Sequence, residues 1–548
     1  MTTRALLACA LVALAMPARA QLAEWKKETI PEWLVLGAEY RVRTLYVDPF
    51  DLSGTEVQDA KWTEQRLRLD LGFKWPKVGG VTVQLDLVDG VLFGDNGDFG
   101  KDPKPVSGLA VTSRAPNSAG WDIGLISGRD PLNADSYAPA LVPIEPIRVN
   151  HAYGDVYLPF GLLRVGRQPV TAGASISAHD GSRTNRWGVS TYSEVGDRVL
   201  FATKLDEAIK LLTEDDHVAD ASADNGVFLI FAWDWQVQDD IHATDDDLNQ
   251  ITAGLQWRVR EADWLGVEWK ELLVSALMVH KFADDFDTAI WAFPLRAKAT
   301  IGPVALDLQY SIFTGGTREV SEGFAVLSSK PPGRQDVLAM GASAVIDVLL
   351  DPVTATLEFD FATGDADPRS RSALTTFTFA RDTNVGLLLF DHILAFESAR
   401  SAAVGIENLR QLNAPSFPLT EVSTEGRFTN AYALFPQVKV DALQGPHHWL
   451  HVRFGALFAW PEAGVVDPIT TILAEDGDRI DDDAVNFHGG KPGSYYGTEL
   501  DLQVQWTFRD LFTWTVEAAV LFPGDGLEDE NGDAVTSFLV ENRFLFVF

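Results

Sequence analysis

Apolar and polar side chains alternate with a period of two residues along several long stretches of this chain. In residues 64–73 one face is mostly charged, while the opposite face is dominated by leucine. Residues 81–87, 249–260 and 498–508 repeat the pattern. Successive side chains of a β-strand point to opposite faces, so the alternation predicts strands rather than helices. Each stretch has about 10–15 residues, enough for a tilted strand that crosses a membrane.

The connections between these stretches alternate in length. Short turns such as 76–79, 159–161 and 302–303 are separated by long polar stretches, of which the longest is 365–429. Short periplasmic turns and long external loops are the rule in transmembrane barrels. The pattern therefore predicts an all-β fold: a transmembrane antiparallel up-and-down β-barrel of about 18 strands with long extracellular loops and short periplasmic turns. The number becomes about 20 if Phe377–Phe396 forms two more strands.

The predicted strands are longer than those of soluble proteins, which average about five to six residues. This argues against the alternative, a soluble β-sandwich or solenoid. Tryptophans also lie near the segment ends, where barrels carry aromatic girdles: Trp62, Trp75, Trp257, Trp291, Trp449, Trp460, Trp506 and Trp514. The predicted spans are 33–47, 61–75, 80–94, 146–159, 161–172, 195–206, 226–238, 247–261, 270–282, 287–301, 303–315, 334–350, 352–364, 430–444, 447–461, 494–509, 511–523 and 535–548.

The last predicted strand ends in aromatic residues. Phe544, Phe546 and Phe548 share one face of this strand, and Phe548 is the last residue of the sequence. Chains that are folded by the barrel-assembly machinery resemble this pattern. We therefore expect these three residues to form a signal to that machinery; a buried C-terminal strand is the alternative.

The first residues have the pattern of an export signal. A basic start is followed by an apolar run from Ala5 to Met16 and by an Ala-x-Ala site that ends at Ala20. The run is too short for a membrane-spanning anchor helix, which needs about 20 residues, and a lipoprotein site at Cys9 would leave almost no apolar core before it. We expect a cleaved signal peptide at 1–20, a periplasmic N-terminal segment at 21–32 and an outer-membrane barrel at 33–548.

Composition agrees with a barrel and excludes several function classes. The formal charge is −34, the opposite of what a nucleic-acid binder needs. The chain is nevertheless 46% hydrophobic and 11% aromatic, which excludes a disordered acidic protein. Its mean hydropathy is near zero, as expected where apolar and polar residues alternate. Cys9 is the only cysteine, so the exported chain would hold no disulfide, thiolate metal site or covalent haem.

Five short motifs carry a family resemblance: Leu163-Arg164-Val165-Gly166-Arg167-Gln168-Pro169, Gly196-Asp197-Arg198-Val199, Thr363-Gly364-Asp365, Arg381-Asp382-Thr383-Asn384-Val385-Gly386-Leu387 with Leu389-Phe390, and Gly497-Thr498-Glu499-Leu500-Asp501-Leu502. From about residue 150 onward the chain resembles alginate-export-type outer-membrane barrel porins. It is closer still to a related, largely uncharacterised outer-membrane barrel family. The resemblance implies the fold and the compartment. Alginate itself is a polyanion, and the excess of acidic residues argues against it as the substrate.

Candidate catalytic residues are few, and we expect no enzyme. His179-Asp180-Gly181-Ser182 has the residue types of a hydrolase, but no Gly-x-Ser-x-Gly turn frames it, so a polar loop is the plainer interpretation. His447, His448 and His451 cluster at a turn and a strand start. They are either a metal site or interfacial and lumen-facing histidines, and the second interpretation is preferred.

Two acidic runs lie in predicted extracellular loops. Carboxylates at a spacing of one or two residues suit Ca²⁺, although no complete EF-hand loop is present. Solvated acidic loops are the alternative interpretation, and Ca²⁺ that bridges loops or lipid A phosphates is the functional one. No other cofactor is expected. The candidate Ca²⁺ ligands are Asp476, Asp478, Asp481, Asp483, Asp529, Asn531 and Asp533.

Charged residues recur on the polar faces of the predicted strands. A charge on the lipid face at mid-depth costs roughly 2–4 kcal/mol, so these residues belong in the lumen. They form either a field across a water channel or a paired lattice in a closed pore, and the pattern does not choose between the two. The candidate pore-lining residues are Arg41, Arg43, Arg66, Arg68, Arg164, Arg258, Arg260, Lys439, Arg453, Glu499, Asp501 and Arg543.

The sequence predicts a channel for diffusion or export of hydrophilic solutes or polysaccharide, because a barrel of this size leaves an aqueous lumen. A scaffold barrel that sheaths a periplasmic partner such as a cytochrome is the main alternative, and a barrel hydrolase that depends on Ser182 is a weaker one. The expected partners are outer-membrane lipid, lipopolysaccharide and the barrel-assembly machinery, and nucleic acid is not expected.

One predicted extracellular loop, 382–429, contains a long apolar run from Val385 to Phe390. Exposed apolar patches normally mark an interface. We therefore expect this segment to pack against its own barrel, either folded inward as a constriction or as additional strands of the wall. Partner binding is the weaker alternative.

Overall fold

The computed structural model describes most of the predicted barrel and parts of its long loops. The signal peptide and nearly all of the N-terminal segment predicted from the sequence lie outside the described part. The described residues are 31, 33–49, 52, 60–94, 145–170, 176–179, 185–189, 194–214, 216–218, 220, 222–236, 248–264, 266–322, 331–368, 372–381, 383–398, 424, 426–467, 471 and 484–548.

Nineteen strand segments follow one another along the described chain, and their bounds agree with the predicted spans to within a few residues. They are β1 Leu34–Asp48, β2 Ala60–Trp75, β3 Gly79–Gly94, β4 Glu145–Leu158, β5 Gly161–Pro169, β6 Val195–Lys204, β7 Gly226–Gln236, β8 Leu248–Trp264, β9 Val267–Ala283, β10 Thr288–Ala292, β11 Leu295–Ile301, β12 Val304–Thr317, β13 Gln335–Leu350, β14 Val353–Ala362, β15 Ala431–Gln444, β16 His448–Trp460, β17 Gly497–Phe508, β18 Phe512–Pro523 and β19 Ser537–Val547.

The sheet closes into a barrel of 18 strands. Each strand pairs antiparallel with the next one along the chain, and β1 pairs with β19 from Glu39↔Val547 to Asp48↔Phe538. β10 and β11 both lie between β9 and β12, so they are two parts of one strand. Pro294 separates them because proline has no N–H to donate to the ladder. The predicted count of about 18 is confirmed. Phe377–Phe396 adds no strand, so the alternative of 20 is wrong.

The two faces of the wall are opposite in character. The outer face exposes apolar side chains, among them Val165, Val199, Leu357 and Phe454, whereas the inner face is rich in charged and amide side chains. A closed barrel satisfies every backbone hydrogen bond without water, and an apolar exterior then faces lipid at no polar cost. The described barrel therefore has the architecture of a transmembrane protein.

Most of the predicted interfacial tryptophans are exposed side chains of the wall, for example Trp75, Trp257 and Trp514. Trp62 is a correction to the prediction, because it is only 2% exposed. Its ring packs 6.1 Å from the ring of His392, which belongs to the loop between β14 and β15. A tryptophan near a strand end can thus face the lumen, and strand position alone does not separate the two cases.

The connections of two or three residues all lie at one end of the barrel, which we call the short-turn end, whereas the four-residue turn between β9 and β10 lies at the other end. There the connection between β6 and β7 contains the α-helix α1, Leu205–Thr213. The long loops lie at the opposite end, where the described residues also include a π-helical turn, Leu389–Leu394, and a 3₁₀ turn, Asp525–Leu527. Among the helices of the described chain, none is long and apolar enough to cross a membrane.

Candidate functional site

Charged side chains on the inner wall form a continuous ion-pair chain across the seam where the barrel closes. Arg543 lies 3.2 Å from Glu517 and 2.7 Å from Glu541, counted between nitrogen and oxygen. Arg43 then lies 3.5 Å from Glu541 and 2.9 Å from Glu64. All five side chains are nearly inaccessible to solvent. Pairing of this kind offsets the cost of burying the charges.

A second ion-pair chain lies on β1, β2 and β3. Arg68 donates two hydrogen bonds to Asp86, at 2.7 and 2.8 Å. Arg66 pairs with Glu39 and lies 4.0 Å from Asp86. The guanidinium and the carboxylate match in shape, so the two-bond contact fixes the orientation of Arg68 as well as its charge.

Eight of the ten predicted pore-lining cations have a carboxylate oxygen within 4.0 Å. The remaining pairs are Arg41–Glu64 at 4.0 Å, Arg164–Asp155 at 2.7 Å, Arg260–Asp224 at 3.0 Å and Lys439–Asp441 at 3.3 Å. Ion pairing, a feature of the second of the two arrangements left open by the sequence, therefore describes most of this wall, and the pairs by themselves do not close the pore.

Arg258 and Arg453 are the two predicted pore-lining cations without such a partner in the described part of the chain. Arg258 lies over the ring of Phe228 at 5.5 Å, and Arg453 lies over the ring of Trp187 at 5.7 Å. An aromatic face attracts a cation through its negative π-surface. These two guanidinium groups therefore lie against an aromatic face rather than beside a carboxylate.

The apolar loop segment identified in the sequence is folded into the barrel. Residues 383–398 are almost entirely buried, and Leu388, Leu389 and Phe396 are completely inaccessible. We call them the second inward segment, because a first one, 185–189, precedes them along the chain. The phenylalanines pack on one another; Phe390 lies 4.7 Å from Phe428 between ring centroids. Of the two arrangements predicted for 382–429, inward folding is the one that residues 383–398 show; residues 399–423 lie outside the described part.

Glu499 on β17 anchors the second inward segment. Its Oε1 accepts hydrogen bonds from the backbone N–H groups of Leu387 at 2.6 Å and Leu388 at 2.9 Å, and its Oε2 accepts one from Leu389 at 2.7 Å. Gly386 has φ +77°, and a Cβ there would lie 2.9 Å from Glu499 Oε1. Consecutive N–H groups that follow a left-handed residue form a natural concavity for an anion, and the glutamate occupies it.

Two further acids lie beside this anchor. Asp501 on the same strand and Glu517 on β18 are both inaccessible to solvent, as is Glu499. Glu517 is paired with Arg543, and its Oε1 also accepts a hydrogen bond from the N–H of Gly188 at 3.0 Å. The predicted pore-lining residues Glu499 and Asp501 are thus buried beneath inward-folded chain rather than exposed to an open bore.

Residues 185–189 form a first inward segment, which the sequence analysis did not predict. Trp187 donates from its indole N–H to Gln437 at 3.1 Å and stacks on Phe435 at 5.8 Å. Arg186 donates to Asp347 at 3.0 Å, and its carbonyl accepts a hydrogen bond from Gln503 at 2.9 Å. The segment is therefore bonded to the inner wall on β13, β15 and β17.

The two inward segments contact each other. Asn384 donates from its side-chain amide to the carbonyl of Trp187 at 3.3 Å and to that of Val189 at 3.4 Å. The chain just before each segment is also joined, because Ala380 donates from its backbone N–H to the carbonyl of Ile176 at 2.8 Å. The first inward segment is bonded to β13, β15, β17 and β18, and the second is bonded to β17 and also packs through His392 on Trp62 of β2, so together they narrow the lumen as a connected unit.

Four of the seven candidate Ca²⁺ ligands lie outside the described residues: Asp476, Asp478, Asp481 and Asp483. The other three give the Ca²⁺ prediction no support. Asp529 accepts backbone hydrogen bonds from Asp533 at 3.0 Å and from Asn531 at 2.8 Å. These bonds lower the pKa of Asp529 and hold its carboxylate within a local turn. Within the described ranges no three acidic or histidine side chains converge as metal ligands.

The structure does not bring the candidate histidines together, and it describes only part of the candidate serine site. His448 stacks on Trp506 at 5.9 Å, while His451 is buried in the lumen with its ring 3.1 Å from Gln503. His179 is described and contacts the carbonyl of Arg381, but Asp180 and Ser182 lie outside the described residues. The predicted assembly signal lies in the wall: Phe546 packs 5.1 Å from Phe512, and its recognition by assembly machinery stays a prediction.

Asp365, in the loop that follows β14, gives a pH-dependent expectation. Burial raises the pKa of this carboxyl to about 6, against the opposing backbone hydrogen bond from Asp367. The folded loop therefore binds a proton more tightly than the unfolded loop, so its stability is greatest below about pH 4 and falls as pH rises towards 6. We expect Asp365→Asn to remove this dependence, measured as hydrogen exchange of residues 363–378 at pH 4 and pH 7. Equal pH dependence in both proteins would contradict it.

No protein-family model and no curated protein matches the chain. Among solved structures it is similar to the outer membrane protein OprD from Pseudomonas aeruginosa, with 11% identity over 94% of each chain and a TM-score of 0.45. It is similar to Acinetobacter baumannii OccAB1, with 10% identity over 94% of this chain and 97% of that one and a TM-score of 0.47.

A third similar structure is a BenF-like porin from Pseudomonas fluorescens Pf-5, with 11% identity over 94% of this chain and 98% of that one and a TM-score of 0.44. The resemblance to alginate-export-type barrels expected from the sequence motifs stays a prediction, because identities of 10–11% and TM-scores below 0.5 carry no argument about it. The low identities and TM-scores transfer no substrate to this chain.

Proposed function

We propose that this protein is an outer-membrane channel for the diffusion of small hydrophilic solutes. The observation that carries the proposal is a closed 18-strand barrel with an apolar exterior and a charged, amide-rich interior. Barrels of this strand number enclose a lumen wide enough for an aqueous channel.

The two inward segments favour small solutes over a polysaccharide. They are bonded to the wall by specific contacts, such as those of Glu499 and Glu517 with backbone N–H groups. A polymer wider than the remaining passage would have to displace these contacts, whereas a small solute would not. Export of polysaccharide, which the sequence alone left open, is therefore the less favoured substrate class.

Conductance across a planar lipid bilayer tests the proposal. The purified full-length barrel, shown to be folded by its heat-modifiable gel migration, should produce discrete current steps in salt solution. The same protein unfolded by heating is the control and should produce none. A folded barrel that leaves the membrane at its bare conductance would exclude the channel function.

A further inference from the structure

One connection at the short-turn end differs from all the others. The connection between β6 and β7 spans residues 205–225 and contains helix α1. A barrel strand pair needs only a tight turn at this end, so the additional chain is not required to close the wall. The other seven connections at this end have two or three residues each: 76–78, 159–160, 265–266, 302–303, 351–352, 445–447 and 509–511.

The described part of this connection is held in one shape by a buried carboxylate. Glu207 is only 6% exposed. It accepts hydrogen bonds from Lys210 at 2.8 Å and from the backbone N–H of Asp220 at 2.9 Å, and its other contact is the ring of His217 at 2.6 Å. The hydrogen bond from Lys210 is the main reason why the pKa of Glu207 falls to about 2. These bonds join the helix to the chain that returns to β7.

The same connection exposes its aliphatic side chains. Ile209 is 53% exposed, Leu212 is 88% exposed and Val218 is 87% exposed. Ile209 and Leu212 are three residues apart on α1, so they share one face of the helix. The helix therefore buries an acid and presents leucine and isoleucine outward, the reverse of a helix that packs on its own protein. An ordered, exposed apolar face of this kind marks an interaction surface.

The charge around this face indicates what covers it. Residues 205–225 contain seven acids and one lysine, which is paired with Glu207. Two flanking cations, Lys204 and Arg260, pair with Asp220 and Asp224, and the connection keeps an excess of acids beyond these three pairs. Such a surface is repelled by anionic lipid headgroups, which argues against the membrane surface as the occupant. A cationic protein surface is attracted instead. The seven acids are Asp206, Glu207, Glu214, Asp215, Asp216, Asp220 and Asp224.

We propose that the β6–β7 connection is a docking site for a periplasmic protein whose contact surface is an apolar groove rimmed by lysine and arginine. Leu212, Ile209 and Val218 enter the groove, and the exposed carboxylates of Glu214 and Asp216 pair with its rim. The proposal does not depend on conduction through the lumen, because the connection lies outside the strand ladder. Failure of the channel function and failure of the docking site are therefore measured separately.

Site-specific photocross-linking in cells that express the full chain tests the proposal. A benzophenone amino acid replaces Leu212, and in the matched control it replaces Val78, which is 65% exposed in another turn at the same end. We expect a protein adduct from position 212 and none from position 78. Mass spectrometry should place the partner's cross-linked peptide in an apolar stretch flanked by lysine or arginine.

Every other result overturns the proposal. Adducts with phospholipid would show that the face lies on the membrane, and adducts within the barrel would show that the face is covered by its own chain. Equal adducts at positions 78 and 212, an adduct to an acidic or uniformly polar peptide, or no adduct at all would also exclude the docking site.

Substitutions measure the contribution of the apolar face. With the photoreactive residue at position 209, Leu212→Ser should lower the adduct yield about tenfold, since it removes one buried leucine from the interface. Ala223→Ser, an exposed position in the same connection, is the control and should leave the yield unchanged. Heat-modifiable migration of both variants confirms that the barrel is folded. Equal yields in the two variants would contradict the proposed contact.

Discussion

Deleting residues 385–412 is expected to raise the single-channel conductance about twofold or more, because the bore of an 18-strand barrel would lose its largest apolar obstruction. The barrel should still fold. β14 and β15 pair directly with each other from Val353↔Val440 to Ala362↔Ala431, and the described residues of the deleted stretch, 385–398, contribute nothing to the ladder. Planar-bilayer recordings of the purified variant measure the effect.

The control for this deletion is a variant in which residues 385–396 are replaced by a glycine and serine sequence of equal length. It keeps the loop length but removes the buried side chains, so it should also conduct more than the unmodified protein. Unchanged conductance of the folded deletion variant would show that the segment does not limit the bore. Loss of folding would show that it is part of the wall.

The wall of this barrel could be predicted almost completely from the sequence. Its outer positions face lipid and its inner positions face charged or amide groups, so every strand is under the same alternating constraint. The sequence predicted β10 and β11 as one strand, 287–301, despite the break at Pro294, because apolar and polar side chains keep the same alternation on both sides of it.

The second inward segment could be predicted only in part. Its apolar run, Val385–Phe390, is incompatible with a water-exposed loop, so packing against the barrel followed from composition alone. The choice between inward folding and extra strands did not follow, because it depends on Glu499. That residue is more than a hundred positions away, and its carboxylate satisfies three N–H groups that a strand would have given to its neighbours.

The first inward segment gave no usable signal. Residues 185–189 read Asn-Arg-Trp-Gly-Val, which is too short and too polar to show a period. Its position is set by side chains from distant strands, such as Gln437, which accepts a hydrogen bond from Trp187 across 250 positions of sequence. Contacts of this kind leave no local pattern. The pairing of the lumen cations was unpredictable for the same reason, since Arg43 contacts Glu541 only after closure.

Glu499→Leu is expected to undock the second inward segment while the barrel remains folded. The substitution leaves the N–H groups of Leu387, Leu388 and Leu389 without an acceptor in a buried site. Each unsatisfied buried group costs about 1–3 kcal/mol, so the docked state should lose several kcal/mol. Hydrogen exchange of these three amides should accelerate by about two orders of magnitude or more, and current recordings should become noisier and larger.

Two matched variants separate the anchor from its surroundings. Glu499→Gln keeps one acceptor oxygen and should give an intermediate exchange rate. Asp234→Asn changes a buried acid on β7 whose partners are Arg198 and Gln250 rather than the anchor, so exchange at residues 387–389 should stay slow. Exchange in Glu499→Leu that equals that of the unmodified protein would show that the three hydrogen bonds do not hold the segment.

Gly386→Ala tests the same anchor without any change to the wall, which removes misfolding of β17 as an explanation. At φ +77° an added Cβ pays about 1–2 kcal/mol for the left-handed conformation. It would also lie 2.8 Å from Leu457 Cδ2 and 2.9 Å from Glu499 Oε1, which pushes the backbone away from the carboxylate. The expected result is faster exchange at residues 387–389 with unchanged heat-modifiable migration. If Gly386→Ala and Glu499→Leu act on one contact, the double variant should exchange no faster than Glu499→Leu alone; a fully additive increase would show that the two residues hold the segment independently.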